Sequence, residues 1–281
     1  AASTPTEASL GRTPNPDILC NKEIKFKEFL LQAQALGADY IATGHYVAKG
    51  SNKELNEATL LKGSDANKDQ SYFLCTLQQG QLAKSYFPLG EISKTQVRQI
   101  AEEQQFVTHD KKDSTGICFI GERRFKDFLS QYLRPNPGAM VDENGKFVKE
   151  HDGLMYYTLG QRQGLDIGGP GEAWYVAGKD ISRNELLVVQ GHDHPELFTQ
   201  RVVTSSPEWV SDTAPKVDQT LAAKTRYRQA DQECHIVEIS NESLIVEFAQ
   251  PQRAVTPGQA LVLYDGLRCL GGATIESSTK L

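Results

Sequence analysis

The sequence predicts an α/β layer followed by two mainly β units, the last a β-barrel. Three observations carry this. From Ile24, apolar residues recur at helical spacing and lead through a short apolar stretch into Gly-His, the order of helix, strand and turn in an α/β layer. RPNPGAM, residues 134–140, then sets two prolines and a glycine where a helix cannot continue. Beyond it, apolar stretches are short and evenly separated by turn residues, the mark of β sandwiches and barrels.

The elements follow in order. Residues 1–10, AASTPTEASL, read as a tail: small, Ser/Thr-rich and without an initiating Met, as in a tail, a cloning scar or a fragment end. GRTPNPDILCNKEIKF opens on a loop shaped by two prolines and Asn15. The apolar set Ile24, Phe26, Phe29, Leu30 and Ala33 predicts an amphipathic helix ending near Gly37, and ADYIATGHY a short buried strand with a glycine turn. Gln96–Gln105 and Arg124–Leu133 repeat the helical pattern. Val141–Val189 alternates apolar stretches with glycine turns, a small β module. RVVTSS, AAKTRYRQ, CHIVEIS, SLIVEF, ALVLYD and CLGGATI supply the strands of the barrel. The resulting division is a tail at 1–10, an α/β unit at 11–134, a central β-rich unit at 135–199 and a barrel at 200–281.

Composition limits the function. With 39% hydrophobic and 23% charged residues the chain is globular. No apolar run is long enough to span a bilayer and the first residues do not form a secretory signal, so a cytoplasmic location is expected, with no membrane partner. The net charge of −6 gives no global footprint for nucleic acid, so any such contact is local. Two basic stretches qualify: residues 111–126, with a net charge of +3, and Lys224–Arg228, where Tyr227 stands between arginines. A solvated surface explains either one equally simply.

The five cysteines, at 20, 75, 118, 234 and 269, show neither CxxC nor metal-ligand spacing, so no metal site and no disulfide framework are expected. Cys75, Cys234 and Cys269 sit in apolar stretches and read as small buried hydrophobes. Cys20 follows a rigid Pro-Asn-Pro loop, lies three residues after Asp17 and immediately precedes the predicted helix, where the dipole favours a thiolate. Cys118 lies in DSTGICFIGERR inside the basic stretch, where cations do the same. A relay pair and two unrelated thiols both remain open. GHDH, with His192 and His194, lacks a third ligand, and GEAWYVAGKD has the wrong spacing for a phosphate loop.

Seven segments, GRTPNPDILCNKEIKF, DYIATGHYV, NKDQSYFL, KDSTGICFIGERRF, GLMYYTLGQRQGL, KTRYRQ and VTPGQ, together resemble the bacterial tRNA-specific 2-thiouridylase family, in the family's order from Gly11 onward. The resemblance implies an N-terminal unit of the adenine-nucleotide hydrolase, ATP-pyrophosphatase type, a small central β domain and a C-terminal β-barrel. It implies ATP-dependent sulfur transfer to C2 of the wobble uridine, through an adenylated base and a cysteine persulfide. Cys118 would bear the persulfide. Cys20 would release the sulfur or close the cycle as a disulfide with Cys118, and Asp17 would be the general acid/base, with Asn15 and Pro16 shaping the target-base pocket. Gly44 would touch ATP, accompanied by magnesium. His45, Lys68, Asp69, Gln70, Arg226, Tyr227 and Gln259 would lie on the tRNA. The implied partners are a tRNA with a wobble uridine and a sulfur-relay donor protein, and not DNA.

One departure bears on activity. Members of the family open with a strand and SGGVDSS, whose backbone N–H groups cradle ATP phosphates, and no such segment occurs here. The expectation is a fragment of a longer enzyme that binds tRNA weakly and does not adenylate it. The alternatives are a non-catalytic tRNA-binding or sulfur-carrier module, and a dithiol redox protein.

Overall fold

The computed structural model describes residues 11–111, 131 and 134–280. The predicted helix at Arg124–Leu133 and the basic stretch beyond Lys111 lie outside the described residues, as does Cys118.

The first helix, α1, starts earlier than its apolar period suggests. It runs through Pro16–Leu19, a wide-turned stretch Cys20–Glu28 and Phe29–Ala35. Asn15 caps it, its Oδ1 accepting from Ile18 N–H at 3.4 Å, and Pro16 takes the first position, where its missing N–H costs nothing. In the wide stretch the ladder lengthens, so that Phe29 N–H reaches Ile24 O five residues back. This spacing sets Asn21 and Phe26 on one buried face and turns Phe29 outward at 56% exposure, where a uniform α-helix would have buried it. Cys20 therefore lies in the second turn and not ahead of the helix.

Two short strands, β1 (Ile41–Ala42) and β4 (Ser85–Tyr86), pair in parallel. Between them come the hairpin β2 (Val47–Asn52) and β3 (Glu57–Lys62), a 3-10 turn at Ser71–Leu74 and helix α2 (Gln79–Ala83). Helix α3 (Lys94–Glu103) begins on a reciprocal cap between Ser93 and Gln96.

The central unit is a four-stranded sheet in the order β6 (Phe147–His151), β5 (Gly138–Val141), β8 (Glu185–Gln190), β7 (Trp174–Asp180). Beyond it β9 (Phe198–Thr204), β11 (Thr220–Lys224), β12 (Gln232–Ile239), β13 (Leu244–Arg253), β14 (Ala260–Asp265) and β15 (Arg268–Thr279) pair antiparallel around a ring. The pairing of β14 with β15 closes it into a barrel, with the short β10 (Glu208–Trp209) on β15. Hairpin β2–β3 continues the sheet from β15, with Leu60 opposite Cys269 and Leu61 opposite Arg268.

The barrel wall serves two cores. Along β14, Leu261 and Leu263 point into the barrel with Phe248, Ile236 and Val246. Ala260, Val262 and Tyr264 point out, into a core shared with Ile18, Phe26, Leu30, Tyr72 and Leu74 of the N-terminal unit. Because both faces of β14 are covered, its sequence is an unbroken apolar run instead of an alternation.

Candidate active site and RNA-facing surface

The described candidate residues gather around α1. Cys20 is 4% exposed, and its N–H donates to the carbonyls of Pro16 and Asp17. Asp17, half-buried, occupies the first helical turn, where an acidic side chain suits the positive end of the helix dipole. Nearby, the Tyr72 O–H donates to Ala260 O at 2.9 Å, tying the N-terminal unit to β14, and burial raises the Tyr72 pKa.

A second clamp comes from VTPGQ. Thr13 N–H donates to Pro257 O at 2.9 Å, and Gln259 Nε2 donates to Thr13 O at 2.6 Å. Gly258 has φ +91°, and a Cβ there would stand 2.9 Å from Thr13 backbone atoms, so only glycine permits this approach. Arg12 pairs with Glu276, and Lys22 with Glu208 at 2.8 Å. The loop ahead of α1 is thus laid against β15 and the turn before β14.

His45 packs against Phe26 of α1. Its ring lies 5.6 Å from Phe26, with Nδ1 3.0 Å from Thr43 Oγ1. Burial, with a smaller push from Lys25, lowers its pKa to about 4, so the imidazole is neutral at physiological pH. Gly44 is exposed in the turn after β1, on the carboxyl side of a parallel strand, where sheets of this class receive ligands. Only Leu89 Cδ1, at 3.8 Å, comes within 4 Å of a Cβ built there, so a flat group can approach the backbone.

The NKDQ segment is braced from within. Asp69, 7% exposed, accepts from Gly63 N–H and Ser71 N–H at 3.1 Å each and from Ser71 Oγ at 2.9 Å, with Lys224 Nζ 3.8 Å away. Lys224 and Lys62 both lie over the Tyr264 ring and both reach Asp231. Gln70 Oε1 accepts from Tyr46 N–H at 3.0 Å, and its own N–H donates to Tyr46 O at 3.1 Å. Lys68 lies half-buried on the rim of the cleft facing Lys224 and Arg228.

On the barrel, Arg226 is exposed and Tyr227 half-buried, its ring 4.4 Å from Phe73. Phe73 O in turn accepts from Asn21 Nδ2 at 3.2 Å, joining the barrel loop to the residue after Cys20. Asn21, Thr13, Tyr72, Phe73 and Tyr264 were not singled out from the sequence, and Lys224 was read only as part of a basic stretch. The adjacent aromatics in QSYFL were the available signal. His192 instead turns to Asp193, and His194 accepts from Glu196 N–H, as in an ordinary surface turn. Cys75, Cys234 and Cys269 are buried thiols whose pKa values burial raises, to about 12 for the last two.

An α/β unit whose cysteine-bearing helix is clamped to a closed barrel, with a basic aromatic loop beside it, places the chain among multidomain proteins that join an α/β unit to a β-barrel. Comparison with known proteins specifies which. Residues 3–122 match the family described as tRNA methyl transferase HUP domain, 126–190 the tRNA methyl transferase PRC-barrel domain, and 199–275 the aminomethyltransferase beta-barrel domain. The chain is 57% identical over 273 residues to the tRNA-specific 2-thiouridylase MnmA of Hydrogenovibrio crunogenus, covering 96% of this chain and 72% of that protein. It is 56% identical over 277 residues to the protein of that name from Alcanivorax borkumensis, covering 97% and 75%. Against that of Haemophilus influenzae it is 56% identical over 275 residues, covering 96% and 71%. The chain belongs to the tRNA-specific 2-thiouridylase family. Its fold is a HUP domain, a PRC-barrel domain and a C-terminal β-barrel.

Proposed function

We propose that this chain carries the sulfur-handling and tRNA-binding part of a tRNA-specific 2-thiouridylase, an enzyme that moves sulfur to C2 of a wobble uridine, with Cys20 and Cys118 as the sulfur-handling pair. The observation that carries the assignment of the site is the double clamp on the loop that leads into the Asn15-Pro16-Asp17 corner, by Pro257 and Gln259 on the two sides of the Thr13 backbone. It supports a preorganised pocket in which the extruded base meets Asp17 as proton-transfer group and Cys20 one turn further along α1.

Bound ATP would supply the adenylate that makes the C2 oxygen a leaving group. Gly44 is the described residue whose open backbone suits the nucleotide. Among the described residues no cluster of three or more His, Cys, Asp or Glu suits a metal, so the magnesium expected with ATP would depend mainly on the phosphates. Cys118, charged with a persulfide by a donor protein, would offer its outer sulfur, and attack by Cys20 on the inner sulfur would release it and leave the Cys20–Cys118 disulfide for later reduction.

The tRNA would lie across His45, Lys68, Arg226 and Tyr227. Asp69, Gln70 and Gln259 support it from inside, by holding Lys224, the Tyr46 backbone and the Thr13 loop.

The test supplies the chain, completed with an N-terminal segment carrying the SGGVDSS phosphate loop, with unmodified tRNA, ATP and a persulfide-bearing donor protein and looks for 2-thiouridine by mass spectrometry of digested nucleosides. Product that disappears in Cys118→Ser and Asp17→Asn supports the assignment. Product that survives both substitutions refutes it.

A further inference from the structure

The loop after β11 forms a ridge between two open clefts. One, of about 880 Å³, is lined by Lys62, Lys68, Asp69 and Lys224, and the other, of about 560 Å³, by Arg226, Gln232, Gln252 and Arg253. Tyr227, Arg228, Gln229 and Ala230 line both, so the ridge is their shared wall. Each cleft has the volume of an ordinary small-ligand site, enough for a nucleotide.

The top of the ridge is a stack. Arg228 Cζ stands 5.4 Å from the centroid of the Tyr227 ring, while Phe73 at 4.4 Å and Tyr72 at 6.4 Å pack that ring from the N-terminal unit. Arg228 is exposed and has φ +64°, a left-handed conformation that costs free energy for any residue with a Cβ. An exposed arginine adds nothing to the core, and glycine would adopt this turn without strain, so fold stability does not account for the residue.

The turn is held nonetheless. Thr225 N–H and Oγ1–H both donate to Gln229 Oε1, at 2.7 and 3.1 Å. Gln229 Nε2 donates to Gln252 Oε1 at 2.9 Å, and Gln252 Nε2 to Gln232 Oε1 at 3.2 Å. A rigid blade therefore presents a planar guanidinium on an aromatic ring, and bases stack on such surfaces whatever their sequence.

We propose that Tyr227 and Arg228 are a wedge that parts the nucleotide 3′ to the target uridine from the one that follows it, one passing into each cleft, which leaves the uridine itself free to reach α1. The proposal rests on the reading of this chain as a tRNA 2-thiouridylase and assigns Arg228 as a positioning residue for it. Separation of charge from stacking gives the test, because lysine keeps the phosphate-attracting charge and loses the planar face.

An anticodon stem-loop RNA carrying the wobble uridine and 2-aminopurine at the next 3′ position is titrated with the protein, reading affinity by anisotropy and unstacking by 2-aminopurine fluorescence. The wild type should raise the fluorescence severalfold. Arg228→Lys should bind within about twofold of wild type and lose at least half of the rise. Arg228→Gly, which keeps the left-handed turn, should lose at least as much while melting no lower than wild type. A full rise in both variants, or wild-type binding with no rise, overturns the wedge while leaving tRNA recognition standing. A wild type that binds no RNA overturns the functional reading, and the wedge with it.

Discussion

Replacing Asp69 tests whether the NKDQ segment is built from the inside. In Asp69→Ala, the Gly63 and Ser71 N–H groups and the Ser71 hydroxyl lose their acceptor in a site that is 7% exposed. Lys224 keeps Asp231 at 3.7 Å and the Tyr264 ring, so its charge is not abandoned and the orphaned donors dominate. Each buried donor left unpaired costs roughly 1–3 kcal/mol, and relaxation toward solvent recovers part, so the loss should be about 3–5 kcal/mol. For a chain of this size that is a melting shift on the order of 10 °C. Asp69→Asn keeps an oxygen for the two backbone donors and gives up only the charge, so it should cost roughly 1–2 kcal/mol. Urea unfolding of the three proteins gives the comparison, and Asp69→Asn should bind tRNA within about twofold of wild type when measured well below its melting point. A loss under about 1 kcal/mol in Asp69→Ala, or equal losses in the two variants, refutes the assignment of the backbone donors as what Asp69 holds.

In the intact enzyme supplied with its persulfide donor, Cys118→Ser should abolish 2-thiouridine formation and leave tRNA affinity within a few-fold; a large loss of binding would give Cys118 a place in the interface instead. Arg226→Ala should weaken tRNA binding and flatten its dependence on log salt by about one, and an unchanged slope removes the barrel loop from the phosphate contacts. His45 sets a pH dependence with a definite sign. Its folded pKa of about 4 lies below the 6.5 of the free group, so the unfolded chain takes up a proton that the native chain refuses. Stability therefore falls as pH drops from about 6.5 toward 4, by up to about 3 kcal/mol, and His45→Gln should remove that part of the slope, which unfolding curves across this range would resolve.

Much of this architecture was legible because it rests on local signals. The six barrel strands lie in the apolar stretches read from turn to turn, and α3 falls at Lys94–Glu103 against a predicted Gln96–Gln105. Hairpin β2–β3 was not read. Its buried residues, Val47, Thr59 and Leu60, have no clean alternation, since β3 takes its cover from β15, more than two hundred residues along the chain. The start of α1 was missed because Pro16 and Asn15 carry it as cap and first turn, ahead of the apolar period. Within the candidate site, motifs marked segments but could not divide surface from support. The resemblance put Asp69 and Gln70 on the tRNA, and their long-range partners, Lys224 and Tyr46, become visible only in the structure.

That division has a mechanistic consequence. The N-terminal unit around Cys20 is tied to the far end of the chain: Thr13 is held by Gln259, Tyr72 by Ala260, and Phe73, which accepts from Asn21, packs on Tyr227. Outward side chains of β14 and inward side chains of the N-terminal unit form one core, so the two cannot slide past each other without opening apolar surface to water. On the proposed reading, a barrel fixed in this way would set the distance between the loop that grips the RNA and the helix that bears the cysteine, so that a base extruded beside Tyr227 would meet α1 in a geometry set by folding.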